Sequence, residues 1–330
     1  MTDVAKFTSN QLGKDYTKVL QWLADHHDGM LLFPDYPLFI SQTILFERPV
    51  WLQGRNANSA LYMTNPSGHT LLFASNGAVR IADLVVGAVV DRDIGAAGIL
   101  ITGQGQAGTN GFSTLERVVV HDHSILVSMY NAGGWRIRDS YLVNASNVAL
   151  QIYNPLTPDS GDSLVEGTTF DTTHPGTTAI LWHTGGGLRV TNNKILSHAY
   201  GFMLSFTDEG STGNLIFADN SVENQTESCL WFVNSGSKTF ANVQIQSNQM
   251  ISFGPQLIRV ETPGGWLFDL DISGNILTAV PGASQIIFLG GRDAFVHGNT
   301  FAGSTVAPVV IGQGASDIVV SGNKGPNGLI

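Results

Sequence analysis

One short pattern built around Asn returns six times between Leu188 and Gly325. It reads apolar, any, apolar, two small or polar residues, Asn, any, apolar, and its last copy has Gly325 in the final apolar place. Successive copies of this Asn are separated by 27, 28, 27, 24 and 24 residues. Self-similarity at a fixed period predicts a solenoid, in which every repeat stacks on its neighbours. The repeated residues are Asn193, Asn220, Asn248, Asn275, Asn299 and Asn323.

Each copy predicts two short strands that meet at a tight corner. Apolar residues alternate with others on both sides of the two-residue break, so each strand has one buried face. Asn suits such a corner because it tolerates left-handed backbone and its amide can bond a like Asn one rung away. A further strand follows each corner, as at Gly201–Phe206. Stacking these strands about 4.8 Å apart gives a parallel sheet.

The start of the chain predicts the one helix. Tyr16, Val19, Leu20 and Leu23 have helical spacing over residues 15–27, with Asp15 as the N-cap. An amphipathic helix ahead of a solenoid covers its open first rung. We therefore expect a single domain over 1–330, with the solenoid at about 30–325.

Composition agrees with this architecture and limits the partners. The chain has 38 Gly and only 13% charged residues, a balance that favours short strands and tight turns. Its net charge of −10 argues against a nucleic-acid partner. An acidic glycan stays possible if a local basic strip exists.

Cysteine usage and hydropathy give further limits. Cys229 is the single cysteine, so an internal disulfide is excluded and the redox compartment is left open. No apolar run approaches the roughly 20 residues that a membrane-spanning helix needs, which predicts no membrane insertion. Residues 1–10 lack the apolar segment of a secretory signal.

Three segments near the start carry a resemblance to a known group. Residues 31–36 (LLFPDY), 39–44 (FISQTI) and 50–54 (VWLQG) resemble the entry segment of the pectate-lyase-like right-handed parallel β-helix superfamily. Asp35 stands where that group usually has Gly. The resemblance implies an all-β, right-handed single-stranded parallel β-helix of about ten rungs, with a substrate groove along the strands that follow the Asn corners. It implies no particular reaction, because the superfold hosts lyases, hydrolases, esterases, epimerases and phage adhesins.

Aromatic residues occupy nearly the same place in consecutive strands after the corners. If their rings point outward they form a ladder on which sugars can stack, whereas an inward orientation makes them core residues. Alternation alone leaves both readings open. Loops of varying length follow the same strands, and such insertions usually mark the binding side of a repeat array. The aromatic residues are Tyr130, Tyr153, Trp182, Phe206 and Trp231.

Carboxylates close to these strands are candidates for catalysis. Glycoside hydrolysis with inversion needs two carboxyl groups roughly 6.5–9.5 Å apart. Two rungs give about 10 Å before side chains lean, so an acid from one loop can pair with an acid from a loop two rungs later. His183 would lie on the rung between them. The candidates are Asp159 and Asp162 in one loop, Asp208 and Glu209 two rungs later, and Glu261 two rungs beyond.

A lyase would need a different set of groups. Arg259 and Arg292 are candidates to neutralise a uronate carboxyl, and His183 or Tyr153 to remove the adjacent proton. A calcium ion would then be possible; otherwise we expect no cofactor. His121 and His123 would share a face of an extended segment, but no third ligand is evident, and we predict no metal site.

Three functions follow as hypotheses. The first is a tailspike-like endoglycosidase that binds and cleaves a bacterial surface polysaccharide. The alternatives are a lyase or epimerase acting on a uronate glycan, and a non-catalytic adhesin or structural β-helix. The resemblance to tailspikes implies a homotrimer and an extracellular or virion-associated location. Apolar residues expected to point outward, and so to form the trimer contact, include Met203, Ile258 and Val310.

Overall fold

The computed structural model is a right-handed parallel β-solenoid of about 11 turns, close to the ten rungs expected. It describes residues 1–75, 77–103, 113–154, 162–184, 186–206, 213–234, 239–262, 266–303, 307–325 and 328–329. The Gly-rich stretch at residues 103–112, whose turn residues predict an excursion from the solenoid, lies outside these ranges except for Gly103. Each rung contributes one strand to each of three sheets, which we call A, B and C in the order in which the chain meets them at an Asn corner.

Sheet A precedes the Asn corner and sheet B follows it. All neighbouring strands within them are parallel except the last pair of sheet B. The strands of sheet A are Thr2–Asp3, Gly29–Phe33, Val50–Gly54, Val79–Ala82, Thr114–Glu116, Arg136–Arg138, Ser163–Glu166, Leu188–Thr191, Leu215–Ala218, Thr239–Gln246, Trp266–Ser273, Arg292–His297 and Ser316–Ser321. The strands of sheet B are Pro37–Ile40, Ala60–Met63, Val85–Ala88, Val119–His121, Tyr141–Val143, Thr169–Asp171, Lys194–Leu196, Ser221–Gln225, Gln249–Ser252, Ile276–Ala279, Thr300–Ala302, Lys324–Gly325 and Gly328–Leu329.

Sheet C holds the strands that were predicted to follow each corner. Its strands are Ile44–Phe46, Leu71–Phe73, Ala97–Thr102, Ile125–Tyr130, Val148–Tyr153, Thr178–Thr184, Tyr200–Phe206, Ser228–Asn234, Gln256–Glu261, Ser284–Phe288 and Val309–Ile311.

The core runs as continuous rows of apolar side chains along the solenoid axis. In sheet C, one such row is formed by residues that occupy the same register position on consecutive rungs. Every member of this row from Ile99 to Ile286 is fully buried. Ile258 belongs to this inward row, so its predicted place on the outer surface is wrong. The row consists of Ile99, Val127, Leu150, Ile180, Phe202, Leu230, Ile258 and Ile286.

The Asn corner joins sheet A to sheet B, and its side chains point inward as a ladder. Nδ2 of Asn193 donates to Oδ1 of Asn220 at 3.0 Å and to the carbonyl oxygen of Val165 at 3.0 Å. The left-handed residue is the one before the Asn, for example Asn192 with φ of 56°. The tolerance of Asn for left-handed backbone is therefore not used at the repeated position itself. It is instead the buried amide that holds consecutive corners in register.

The N-terminal segment lies against the first rungs. The helix spans Thr17–His26, and Asp15 accepts hydrogen bonds from the backbone and hydroxyl of Thr17. Leu20 and Leu23 are buried in the same core cluster as the first strands. Within the described ranges no helix is both long and apolar enough to cross a membrane.

Candidate functional site

The outer face of sheet C carries two neighbouring groups of aromatic and polar side chains. In the first, Tyr130 and Tyr153 occupy the same register position on consecutive rungs. Their ring centroids lie 5.5 Å apart, and Tyr130 is 39% exposed. His183 continues this row on the next rung, with its ring 5.4 Å from that of Tyr153 in an edge-on arrangement. We call Tyr130, Tyr153 and His183 the first cluster.

Alternation along its strand places His183 on the outer face, one position after the inward-pointing Trp182. Trp182 pairs with Ile152, but the next pair joins Tyr153 to Thr184, so His183 is an extra residue in its strand. Such bulges are over-represented beside active sites. The same alternation buries Trp182, which is 1% exposed and points into the solenoid. The prediction that Trp182 belongs to an external sugar-stacking ladder is therefore wrong.

His183 presents a neutral imidazole to the surface. Its Nδ1 lies 3.1 Å from the carbonyl oxygen of Ser205. A carbonyl oxygen only accepts, so Nδ1 carries the proton and Nε2 has a free lone pair. Partial burial lowers the pKa of His183, and the hydrogen bond to Ser205 opposes this to a smaller extent. The ring can therefore accept a proton or a sugar hydroxyl at neutral pH.

The second cluster begins on the next rung of sheet C and extends over three rungs. The ring of Trp231 is 4.9 Å from that of Tyr200, and the guanidinium of Arg259 lies 5.2 Å from the ring of Trp231. Nη2 of Arg259 and Oε2 of Glu261 form an ion pair at 2.6 Å. The indole N–H of Trp231 is buried and has no hydrogen-bond acceptor among the described residues. We call Tyr200, Trp231, Arg259 and Glu261 the second cluster.

The sequence did not single out Tyr200, because the strand pattern was taken to begin at Gly201. The strand begins one residue earlier, at Tyr200. Burial raises the pKa of Tyr200, and the negative charge of Glu227 adds to this effect. The available sequence signal was an aromatic residue at the first position of a strand, with Trp231 on the next rung.

Several predicted site residues lie elsewhere. Arg292 begins a strand of sheet A, where its guanidinium lies 5.5 Å from the ring of Phe268, whereas Arg259 and Glu261 lie on a strand of sheet C. Asp162 is exposed and precedes the sheet A strand Ser163–Glu166. Asp159, Asp208 and Glu209 lie outside the described residues. The proposed acid pairs are thus not positioned by the geometry described.

His121, Asp122 and His123 do not form a shared face. Asp122 has left-handed backbone with φ of 58°, which turns the chain between the two histidines. His121 is partly exposed and its Nδ1 lies 2.6 Å from Oδ2 of Asp122, whereas His123 is buried and its Nε2 lies 2.8 Å from the Thr70 hydroxyl. The expectation that both histidines project from one face is wrong. The described ranges contain no group of three or more His, Cys, Asp or Glu side chains placed to hold a metal ion.

A concave region lies beside the loops that join sheets B and C. It has a volume of about 700 Å³ and is lined by charged, apolar and imidazole side chains. Buried His123 lies at its wall and Arg92 lines it, with one guanidinium nitrogen donating to the carbonyl oxygen of Gly68. Among the catalytic candidates that the structure describes, Asp162, His183 and Glu261 do not line this region.

Similar proteins were found by structure and not by sequence. Comparison of the sequence with protein-family models and with curated proteins gave no match. The fold is similar to that of DFA-IIIase from Arthrobacter chlorophenolicus A6, at 13% identity and a TM-score of 0.66, over 97% of this chain and 94% of that one. It is similar to the tailspike protein of E. coli bacteriophage HK620, at 12% identity and a TM-score of 0.70, over 98% of this chain and 65% of the tailspike.

A third similar structure is the A-module of the Azotobacter vinelandii mannuronan C-5 epimerase AlgE4, at 15% identity and a TM-score of 0.61, over 98% of this chain and 100% of that one. All three are parallel β-helix proteins. The predicted fold is therefore confirmed, and at these identities the likeness concerns the fold alone.

Proposed function

We propose that the chain binds a bacterial surface polysaccharide along the outer face of sheet C and cleaves it as a tailspike-like endoglycosidase. The observation that carries the proposal is the set of partly exposed aromatic side chains in the two clusters on this face. From Tyr130 to Glu261 it extends over five rung spacings, or about 24 Å. Aromatic faces stack on the apolar faces of sugar rings, and nearby polar groups bind the hydroxyls.

The cleavage step needs two carboxyl groups. One protonates the glycosidic oxygen as the bond breaks, and the other takes a proton from the attacking water on the opposite face of the sugar. We propose Asp159 or Asp162 for one role and Asp208 or Glu209 for the other. Glu261 is less suited to either role, because its carboxylate is already engaged in an ion pair with Arg259.

Two kinds of neighbour support a glycan as ligand. The names of the similar structures include a tailspike in complex with a pentasaccharide and a glucanase in complex with tetrasaccharides. By analogy with the tailspikes we also propose a homotrimer and an extracellular, virion-associated location. Light scattering coupled to size-exclusion chromatography tests the trimer directly.

Incubation with a panel of purified bacterial capsular and O-antigen polysaccharides tests the activity. The proposal predicts new reducing ends, without the ultraviolet absorbance of an unsaturated uronate, from at least one glycan. Loss of cleavage with retained binding in Asp208→Asn, Glu209→Gln, Asp159→Asn or Asp162→Asn identifies the acids. Unchanged rates in all four variants exclude the proposed pair, and binding without product favours the adhesin.

One observation favours a second candidate, a lyase or epimerase acting on a uronate. The imidazole of His183 lies 5.4 Å from the ring of Tyr153, centroid to centroid, and its Nε2 can accept a proton, a combination suited to removing a carbon-bound proton and returning another. Arg259, three rungs further along sheet C, is the candidate cation, and a calcium ion would be an additional means of neutralising the uronate carboxyl. Unsaturated-uronate absorbance in the same panel identifies the lyase, and an altered uronate ratio without cleavage identifies the epimerase.

A further inference from the structure

The outer face of sheet A concentrates positive charge in a chain whose net charge is −10. Five of the ten arginines lie on or directly after four of the five consecutive strands from Val79–Ala82 to Leu188–Thr191. This face is separate from the two clusters on sheet C. The arginines are Arg80, Arg117, Arg136, Arg138 and Arg189.

Three of these arginines contact neighbouring side chains as follows. Arg117 pairs with both carboxylate oxygens of Asp83, at 2.6 and 3.0 Å. Arg138 lies 3.4 Å from Glu166, and the guanidinium of Arg80 lies 5.1 Å from the ring of Trp51.

Arg136 and Arg189 have a different arrangement. They occupy the same register position on either side of Leu164, two rungs apart. Two rungs correspond to about 9.6 Å. Both side chains are exposed, and Arg189 has no ion-pair partner among the described residues. Salt screens the repulsion between these two like charges only in part, because their separation is close to one Debye length.

A groove of about 460 Å³ contains both arginines. Leu164 and Ile216 provide an apolar strip along it, while Asn214 and Gln244 provide amide donors and acceptors. Asp162 also lines the groove. It lies opposite Gly187 and two residues before Leu164, at the next outward-facing position beside the row of the two arginines. The groove therefore combines paired cations, hydrogen-bonding amides and an apolar strip suited to the C–H face of a sugar.

We infer that this groove binds an acidic glycan with a carboxylate on every second sugar, Arg136 and Arg189 each receiving one carboxylate. A sugar in an extended polymer spans roughly one rung, so alternate sugars match the two-rung spacing of the arginines. Guanidinium groups suit this task because they bind carboxylates through two parallel hydrogen bonds. This inference rests on the proposed function only for the class of ligand, a glycan. It adds a second binding surface and the acidic character of the ligand.

The test uses hyaluronate, which alternates glucuronate with a neutral sugar, and carboxyl-reduced hyaluronate as its neutral counterpart. Affinity electrophoresis of the full chain is expected to show binding to the first that is at least tenfold tighter than to the second. In Arg136→Ala/Arg189→Ala the affinity for hyaluronate should fall about tenfold, as expected for two exposed ion pairs of up to 1 kcal/mol each. Arg136→Lys/Arg189→Lys should lose less, because the charge is kept.

Arg48→Ala is the matched control. Arg48 is an exposed arginine paired with Asp28 at 3.2 Å near the start of the chain, so its loss should leave hyaluronate binding unchanged. A duplex DNA of equal charge should bind the wild-type chain at least tenfold more weakly. The inference is wrong if carboxyl reduction leaves the affinity unchanged, if the double alanine variant binds like wild type, or if DNA competes equally. Should neutral glycans bind through sheet C while hyaluronate does not, the inference fails and the proposed function stands.

Discussion

The amide Nδ2 of Asn220 donates a hydrogen bond of 3.0 Å to Oδ1 of Asn248 one rung away. The same oxygen accepts the backbone N–H of Asn220 at 2.9 Å, and Nδ2 of Asn248 donates to the carbonyl oxygen of Phe217 at 2.8 Å. Each repeated Asn thus uses its whole amide to connect three rungs. This satisfies buried polar groups at a corner where the sheets leave backbone groups unpaired.

Replacing Asn248 by Ala should therefore destabilise the solenoid strongly. The change leaves the buried backbone N–H of Asn220 and the carbonyl oxygen of Phe217 without these partners, and each such group costs about 1–3 kcal/mol. It also removes one of the two hydrogen bonds that residue 248 donates to Oδ1 of Asn275. We expect the free energy of unfolding to fall by roughly 3 kcal/mol or more, measured by urea denaturation. Asn147→Ala, at an exposed position, is the control and should change stability by less than about 0.5 kcal/mol. Similar effects of both changes would contradict a structural ladder.

The repeat made this ladder predictable, whereas its backbone detail was not. A fixed period with a buried face implies stacking, so the Asn side chains had to align along the axis. The left-handed residue is the one before the repeated Asn. The pattern does not reveal it, because this position varies between Asn, Asp, Ser and Gly. These four residue types share only a tolerance of positive φ, so the position has no common side-chain chemistry that a sequence pattern could reveal.

Two buried histidines should make stability depend on pH. Burial lowers the pKa of both His123 and His198 to about 4, from an ordinary value of 6.5. The unfolded chain then binds more protons between pH 6.5 and pH 4, so stability is full above pH 6.5 and is lost as the pH falls towards 4. Each histidine contributes on the order of 3 kcal/mol to this loss.

Urea unfolding at pH 7.5, 6, 5 and 4 measures this dependence. His198→Gln should remove about half of the slope contributed by the two histidines. His174→Gln, at an exposed position, should leave the slope unchanged. A His198→Gln chain with the wild-type slope would exclude the histidine explanation.

The thiol of Cys229 should be unreactive until the chain unfolds. The side chain is fully buried, and burial raises the pKa of its thiol, opposed by a weaker hydrogen bond with Ser252. Since the thiolate is the reactive form, a disulfide reagent such as DTNB should label no thiol in the native chain at pH 8 and one thiol in urea. Labelling of the native chain within minutes would show that sheet C opens locally at this rung.

The outer face of sheet C was only partly predictable. Tyr153 and Trp231 are two residues apart in register, because Tyr153 pairs with Tyr130 whereas Trp231 aligns through Met203 and Leu181 with Gln151. Trp182 pairs with Ile152, one position before Tyr153, so alternation turns it into the core, and its similar place in the strand did not reveal this offset of one residue. The repeat does not predict where the acidic residues of the loops lie, because loop lengths differ from rung to rung.

Removing the ring of Tyr153 should weaken glycan binding without harming the fold. Its ring lies between Tyr130 and His183, at centroid distances of 5.5 and 5.4 Å, so Tyr153→Ala interrupts the first cluster at its centre. Loss of one stacking aromatic is expected to weaken binding about tenfold, for a stacking energy of roughly 1.5 kcal/mol. Tyr141→Ala is the matched control, because Tyr141 is 55% exposed on the outer face of sheet B. The glycan that the panel identifies serves as ligand, with affinity measured by calorimetry and folding by circular dichroism. Equal weakening by both changes, or by neither, would contradict a binding surface on sheet C.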